Sequence, residues 1–311
     1  MNWRRIVQRT VFLGTMGLLM LCSGCSQPQG YINFEKSQTP APTTEVSAEK
    51  PLRIAFASVM SPKETRQSYQ VLVNYISQKQ QRPAVLLQRR TYAELNKLMA
   101  DGDADIAFFS TGAYAAYHGQ TPIELLAMVQ THGSILYQTY LITAVDSNIT
   151  DFSQLQGKVF AFTDPLSYSG KQAVDFLLYK KGLTSETYFN RFFYTYNHDK
   201  SIWAVANHLA DGASIDSQIY DFVMQTNPQL CKKTRIFATL PDAPTGPVVI
   251  RRDLPETDKD QLRQLFYTMD QNPSLHEALG RALIDKFVAP QPKLYDQLRQ
   301  AYTLRPHLAG E

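Results

Sequence analysis

Short apolar runs rich in β-branched and aromatic residues punctuate the chain: "PLRIAFAS", "PAVLLQR", "ADIAFFS", "LYQTYLITAV", "KVFAFTD" and "GPVVIRR". Between them lie segments with helical spacing, such as "TRQSYQVLVNYISQKQ" and "YAELNKLMADG". Strands alternating with helices predict parallel α/β layers. In the first helical segment Tyr69, Leu72, Val73 and Ile76 follow the three-and-four spacing of a face turned to a core, and core packing is the role expected of them. After "AVDSNI" the order restarts with "TDFSQLQGKVFAFTDPLSYSGKQAVDFLLYKKGL", which predicts a second lobe. "GPVVIRRDLPE" then suggests a return to the first, followed by "KDQLRQLFYTMDQNPSLHEALGRALI", helical by pattern with Leu262, Leu265, Phe266 and Met269 on one stripe. Open α/β sheets bind ligands beyond the carboxyl ends of their strands, so the loops at those ends are where chemistry is expected.

The first residues differ in kind. Arg4, Arg5 and Arg9 precede an apolar stretch from Val11 to Leu21, and small residues then lead to Cys25. The stretch is short for a membrane span and has the layout of a lipoprotein export signal, with "CSGC" in the place of the lipobox and Cys22 where Leu is usual. We therefore expect residues 1–24 to be a signal peptide and Cys25 to carry lipid. Residues 25–50, polar and proline-bearing, read as a flexible tether. The expected location is the cell envelope, anchored on the outer face of a bacterial membrane.

Charge narrows the partners. The formal net charge is +3, but three of the 31 basic residues belong to the signal, leaving 28 against 28 acidic residues. A formally neutral chain has no global basic field to recruit nucleic acid. Of the three cysteines, only Cys231 remains after the signal and the lipid site, so no intrachain disulfide is expected.

The peptide "FTDPLSYSGKQ", residues 162–172, sits where a strand hands over to a helix. One hydroxyl is enough to cap a helix start, yet Ser167, Tyr168 and Ser169 offer three beside N–H groups that lack partners. Such a cluster can hold an anion on the positive end of the helix dipole, or can be an ordinary cap. Three further loops could meet it in a cleft: Tyr92 in "RRTYAEL", Ser110 and Thr111 in "DIAFFSTGAYAAY", and Asp199 and Asp211 in "YNHDKSIWAVANHLADGASID". Hydroxyls and acids spread over both lobes suit a clamshell for a small polar ligand.

The series "DADIAFFSTGAY", "FAFTDPLSYSGKQAVDFLL", "NHDKSIWAVANHLADGASID" and "PTGPVVIRRDLP" resembles the phosphate/phosphite/phosphonate-binding proteins of ABC transporters, in family order from Pro51 to about Pro290. The resemblance implies a type II periplasmic-binding-protein fold: two α/β lobes joined by two crossover strands with the ligand cleft between them. Residues 51–135 and 245–311 would form lobe 1, and residues 136–244 lobe 2. It implies capture of a small phosphorus oxyanion and delivery to a permease, by a monomer with no cofactor and no metal. It places a pocket tyrosine at Tyr92, the serine-hydroxyl-serine turn at Ser167, Tyr168 and Ser169, a histidine and acid at His198 and Asp199, and a second acid at Asp211. Two departures stand out: Phe109, where phosphonate binders of the family often have tyrosine, and Tyr168, where they usually have threonine. One phenol fewer and more bulk beside the anion lead us to expect phosphate, phosphite or a very small phosphonate to outcompete aminoethylphosphonate, with Asp199 and Asp211 accepting the ligand's P–OH.

Other classes are weighed on the same residues. Ser167, His198 and Asp211 are the residue types of a hydrolase triad, but no G-x-S-x-G elbow surrounds Ser167. His118, His132, His198 and His208 form no close ligand pair of the zinc type. A ligand sensor partnering a separate receptor or kinase would share the fold and the cleft.

Overall fold

The computed structural model describes residues 50–57 and 62–304. The expected signal, the lipid site Cys25 and all but the end of the tether lie outside the described residues. Two sheets organise the rest. The first has the order β11-β4-β10-β3-β1-β2, built from β1 (Leu52–Ala57), β2 (Ala84–Arg89), β3 (Ile106–Phe108), β4 (Ile123–Gln130), β10 (Pro247–Arg251) and β11 (Lys286–Val288). The second has the order β7-β6-β8-β5-β9, built from β5 (Leu136–Ala144), β6 (Val159–Phe162), β7 (Arg191–Tyr194), β8 (Gly212–Asp216) and β9 (Thr234–Pro244). Within the first sheet β1 runs parallel to β2 and β3, whereas β10 is antiparallel to β3 and β4. The second repeats the scheme, with β6 parallel to β7 and β8 and β5 antiparallel to β8 and β9. The parallel strands are nearly continuous apolar runs because helices cover both their faces.

Each sheet gains stability by burying helix stripes against it. On the helix Pro62–Gln80, Leu72, Val73 and Ile76 are buried with Ile54, Phe56 and Ile106 of the sheet. Fully burying such a side chain contributes about 1.5–3 kcal/mol. Tyr69, on the same stripe, stacks on Phe56 with ring centroids 4.5 Å apart. The predicted helix after residue 259 is interrupted: a helix spans Glu256–Tyr267, short 3-10 turns follow, and helix resumes at His276–Arg281. Pro273 has no N–H to continue the ladder, and Asn272 instead accepts the Ser274 N–H. Leu262, Leu265, Phe266 and Met269 are nonetheless all buried in one cluster.

The chain crosses between the sheets twice, after β4 and after β9, and the crossings brace one another. Thr245 donates its N–H to the Ile135 carbonyl at 2.9 Å and its hydroxyl to the Val129 carbonyl at 2.6 Å. The phenol of Tyr295, from the last helix, donates to the Thr245 carbonyl at 2.6 Å.

Candidate functional site

Between the two sheets lies a cavity of about 110 Å³. That is small beside the ~300–1,000 Å³ of sites for drug-sized ligands. Lobe 1 contributes Tyr69, Tyr92, Phe109, Ser110 and Thr111; lobe 2 contributes Tyr137, Ser167, Ser169, His198 and Asp216. Among the described residues, no Lys or Arg lines it.

Local structure places these groups. Thr91 and Glu94 form a capping box that starts a helix at Tyr92. Ser110 caps the next short helix by accepting the Ala113 N–H at 3.3 Å, and Thr111 donates its hydroxyl to the Pro244 carbonyl at 2.6 Å. Ser167 caps a π-helical turn over Tyr168–Gln172, accepting the Gly170 N–H at 3.0 Å. Single π turns recur at functional sites. Here the turn needs Gly170, because a Cβ would meet the Thr163 Cβ at 2.5 Å and the Ser167 hydroxyl at 2.7 Å. A hydroxyl has two lone pairs and one proton, so a serine that caps through a lone pair keeps its proton for a ligand. Ser110 and Ser167 are therefore caps and candidate anion donors at once. Thr111 has spent its proton on Pro244.

His198 is buried, and burial pulls its pKa down to about 3, so the ring is neutral. Its Nδ1 lies 3.2 Å from the Asp216 backbone nitrogen, which can only donate, so Nδ1 holds the lone pair and Nε2 carries the proton. The ring is thus fixed as a neutral donor. Asp216 ends β8 and caps the helix Ser217–Thr226, one carboxylate oxygen accepting the Gln218 N–H at 2.8 Å and the Ile219 N–H at 3.4 Å. Burial raises its pKa to about 7, against these two backbone bonds. Burial also raises the pKa of Tyr69, Tyr92 and Tyr137, keeping all three phenols protonated; at Tyr137 interactions with the Thr111 and Ser169 hydroxyls partly oppose the rise. Among the described residues the lining therefore holds neutral donors and one acid, Asp216, with its pKa raised toward neutrality.

The lobes touch around this cavity. Asp164 of lobe 2 is buried and accepts the Tyr92 N–H of lobe 1 at 3.2 Å and the Leu166 N–H at 2.8 Å. The Arg90 guanidinium lies over the Tyr196 ring, 5.0 Å from its centroid. At Gly112 the backbones approach so closely that a Cβ would meet the Leu166 carbonyl at 2.3 Å and the Tyr168 nitrogen at 2.8 Å.

Of the residues expected from sequence, Tyr92, Phe109, Ser110, Thr111, Ser167, Ser169 and His198 line this one cavity. Tyr168, Asp199 and Asp211 do not. The Tyr168 ring turns toward Phe176, 6.5 Å between centroids, so it adds no bulk beside an anion. Asp199 stands in the first turn of the helix His198–Ala206, where it complements the helix dipole. Asp211 is exposed ahead of β8 and accepts the Val159 N–H at 2.8 Å. At about 3.3 Å per residue it sits roughly 16 Å from Asp216, at the opposite end of the strand. The Ser167, His198 and Asp211 triad is therefore not assembled. Sequence reasoning missed Asp216, Tyr69 and Tyr137. Asp216 had a signal: "IDSQ" is an aspartate at a strand's carboxyl end, directly before a helix. Phe109 brings no phenol to the lining, whereas Tyr69 and Tyr137 each bring one.

Two α/β lobes shut over a small polar cavity make a type II periplasmic-binding-protein fold. The fold is shared with a binding protein component of an ABC phosphonate transporter from Pseudomonas aeruginosa (TM-score 0.74, 21% identity, covering 83% of this chain and 87% of that one). It is shared equally with a Prochlorococcus marinus protein solved in complex with methylphosphonate (TM-score 0.75, 16% identity, 82% and 98% covered). Residues 54–295 match the family described as "ABC transporter, phosphonate, periplasmic substrate-binding protein", and the chain belongs to that family. Its sequence is 28% identical over 197 residues to the phosphonates-binding periplasmic protein of Escherichia coli, covering 61% of this chain and 57% of that protein. It is 27% identical over 157 residues to the phosphate-import protein PhnD of Mycolicibacterium smegmatis, covering 49% and 45%. These matches span under two thirds of either relative's length.

Proposed function

We propose that the protein is the extracytoplasmic solute-binding component of an ABC importer, which captures a small phosphorus oxyanion by closing its lobes and presents the closed form to a permease. Family membership supports the class, and the cavity supports the ligand. The observation that carries the reading is the hydrogen-bonded pair in the lining: neutral His198, fixed as an Nε2–H donor, and Asp216, whose pKa burial raises to about 7. An oxyanion stripped of water needs several fixed donors, and hydroxyls supply them without a buried counter-charge. A phosphonate or phosphate near its second ionisation carries one exchangeable proton, and Asp216 can share it from either side. Site residues on this reading are Tyr69, Tyr92, Tyr137, Ser110, Ser167, Ser169, His198 and Asp216. Attachment to the membrane through lipid on Cys25, and action as a monomer, belong to the same proposal.

Thermal-shift measurements with phosphate, phosphite, methylphosphonate, aminoethylphosphonate and sulfate test the ligand class. A ligand bound only by the folded state raises the unfolding temperature by mass action. At least one phosphorus oxyanion should do so at concentrations where sulfate does not; stabilisation by sulfate alone would refute the reading. Release of a Cys25→Ser variant from the membrane fraction tests the anchor.

A further inference from the structure

The apolar part of the cavity lining includes Val129 near the end of β4, Ile219 in lobe 2, and Ala282, Leu283 and Ile284 from the segment before β11. That segment closes the helix His276–Arg281 with a Schellman motif: the Ile284 N–H donates to the Leu279 carbonyl at 2.9 Å and the Leu283 N–H to the Gly280 carbonyl at 3.1 Å. The motif requires a left-handed residue, normally glycine, and here Leu283 takes it with φ of 58°. A branched side chain in that region is a strained choice, retained where the side chain has work to do. The Leu283 side chain packs against the core cluster of lobe 2 that contains Ile219, so it reaches across the cleft. Its own carbonyl is pinned by the Thr131 hydroxyl at 2.5 Å.

We propose that Leu283 is a specificity-determining residue, an apolar shutter that admits a phosphorus oxyanion bearing hydrogen or a short alkyl group, such as phosphite or methylphosphonate, and rejects a cationic aminoalkyl tail. The inference rests on the functional reading above and narrows its substrate class. An ammonium enclosed against this wall loses its hydration, and the described residues that form the wall, Val129, Ile219, Ala282, Leu283 and Ile284, bring no counter-charge. Asp216 is the only carboxylate among the described lining residues, and on the reading above it serves the anion. The methyl group of a small phosphonate meets Leu283 and Ile219 at no such cost.

The test is calorimetric titration of the wild-type protein, Leu283→Gly and Leu283→Asn with methylphosphonate, phosphite and 2-aminoethylphosphonate. Glycine and asparagine both accept the left-handed backbone, so the variants fold and separate specificity from stability. The wild type should favour methylphosphonate over the aminophosphonate by about tenfold or more, and both variants should shift that ratio about fivefold or more toward the amine. Preference of the wild type for the amine, or an unchanged ratio in both variants while phosphite still binds, overturns the shutter alone. Failure of all three ligands to bind the wild type overturns the functional reading, and the shutter with it.

Discussion

The two lobes furnish the cavity in different ways. Lobe 1 brings the phenols of Tyr69 and Tyr92, the Phe109 ring and the wall around Leu283; none of these changes charge near neutral pH. Lobe 2 brings Ser167 and Ser169 on a π turn, and His198 and Asp216 linked by a backbone hydrogen bond, with pKa values of about 3 and about 7. The division teaches that affinity and its pH dependence should reside in lobe 2, while shape and selectivity reside in lobe 1. Groups held on one lobe keep their mutual geometry while the clamshell opens, so on the proposed reading lobe 2 is a preorganised anion half-site that lobe 1 completes.

The largest effect that would break this contrast is predicted in lobe 2. Ser167→Ala with Ser169→Ala should cost about 3–6 kcal/mol of binding, the sum of two hydrogen bonds to a charged group. Unchanged affinity in a titration of the double variant would return the turn to a simple cap.

Next comes the proton pair. Unfolded, histidine releases its proton near pH 6.5 and aspartate near 3.8. Between about pH 4 and 6.5 the unfolded chain carries a proton on His198 and the folded chain carries one on Asp216, so the two contributions to the pH dependence of stability cancel. For Asp216 alone, with its folded pKa raised, stability is fully present below pH 3.8 and lost as pH rises through about 7. For His198 alone, with its folded pKa lowered, stability is present above 6.5 and lost as pH falls toward about 3. Asp216→Asn should therefore expose a loss on acidification of up to about 1.4 kcal/mol per pH unit, read by denaturant melts at pH 4.5 and 6.5. A flat profile in that variant would show that His198 is not held neutral.

Gly112→Ala tests whether closure is separable from recognition. The new methyl would strike the Leu166 carbonyl and the Tyr168 nitrogen across the cleft, an overpacking of about 1–3 kcal/mol. Every ligand should weaken by the same factor, unlike the selective change predicted at Leu283. Tyr69→Phe is the mildest, removing one donor from lobe 1 at about 0.5–1.5 kcal/mol.

The sequence carried the fold well and the site in part, and the reasons are local. Apolar runs and helical stripes depend on near neighbours, so the strand and helix order was legible, as was the loop where Tyr92 opens a helix. Asp216 was passed over for Asp211 because both flank the same five-residue strand, and strand direction, not residue type, decides which end meets the cleft. Tyr69 was assigned to the core, correctly, since it stacks on Phe56; that it also borders the cavity depends on where β4 and lobe 2 arrive. Tyr168 was assigned to the anion because a π turn and a helix start look alike in sequence, yet point their second residue differently.

The most direct test of the central claim, one shared proton between Asp216 and a phosphorus oxyanion, is calorimetric titration with methylphosphonate across pH 6 to 9 for the wild type and Asp216→Asn. Above pH 7 both partners of the wild-type complex are ionised when apart, so binding must take up a proton and affinity should fall toward tenfold per pH unit. The asparagine variant, with no carboxylate to repel the dianion, should lose that steepness. A wild-type affinity that is constant from pH 7 to 9, or an equally steep fall in Asp216→Asn, would contradict the account.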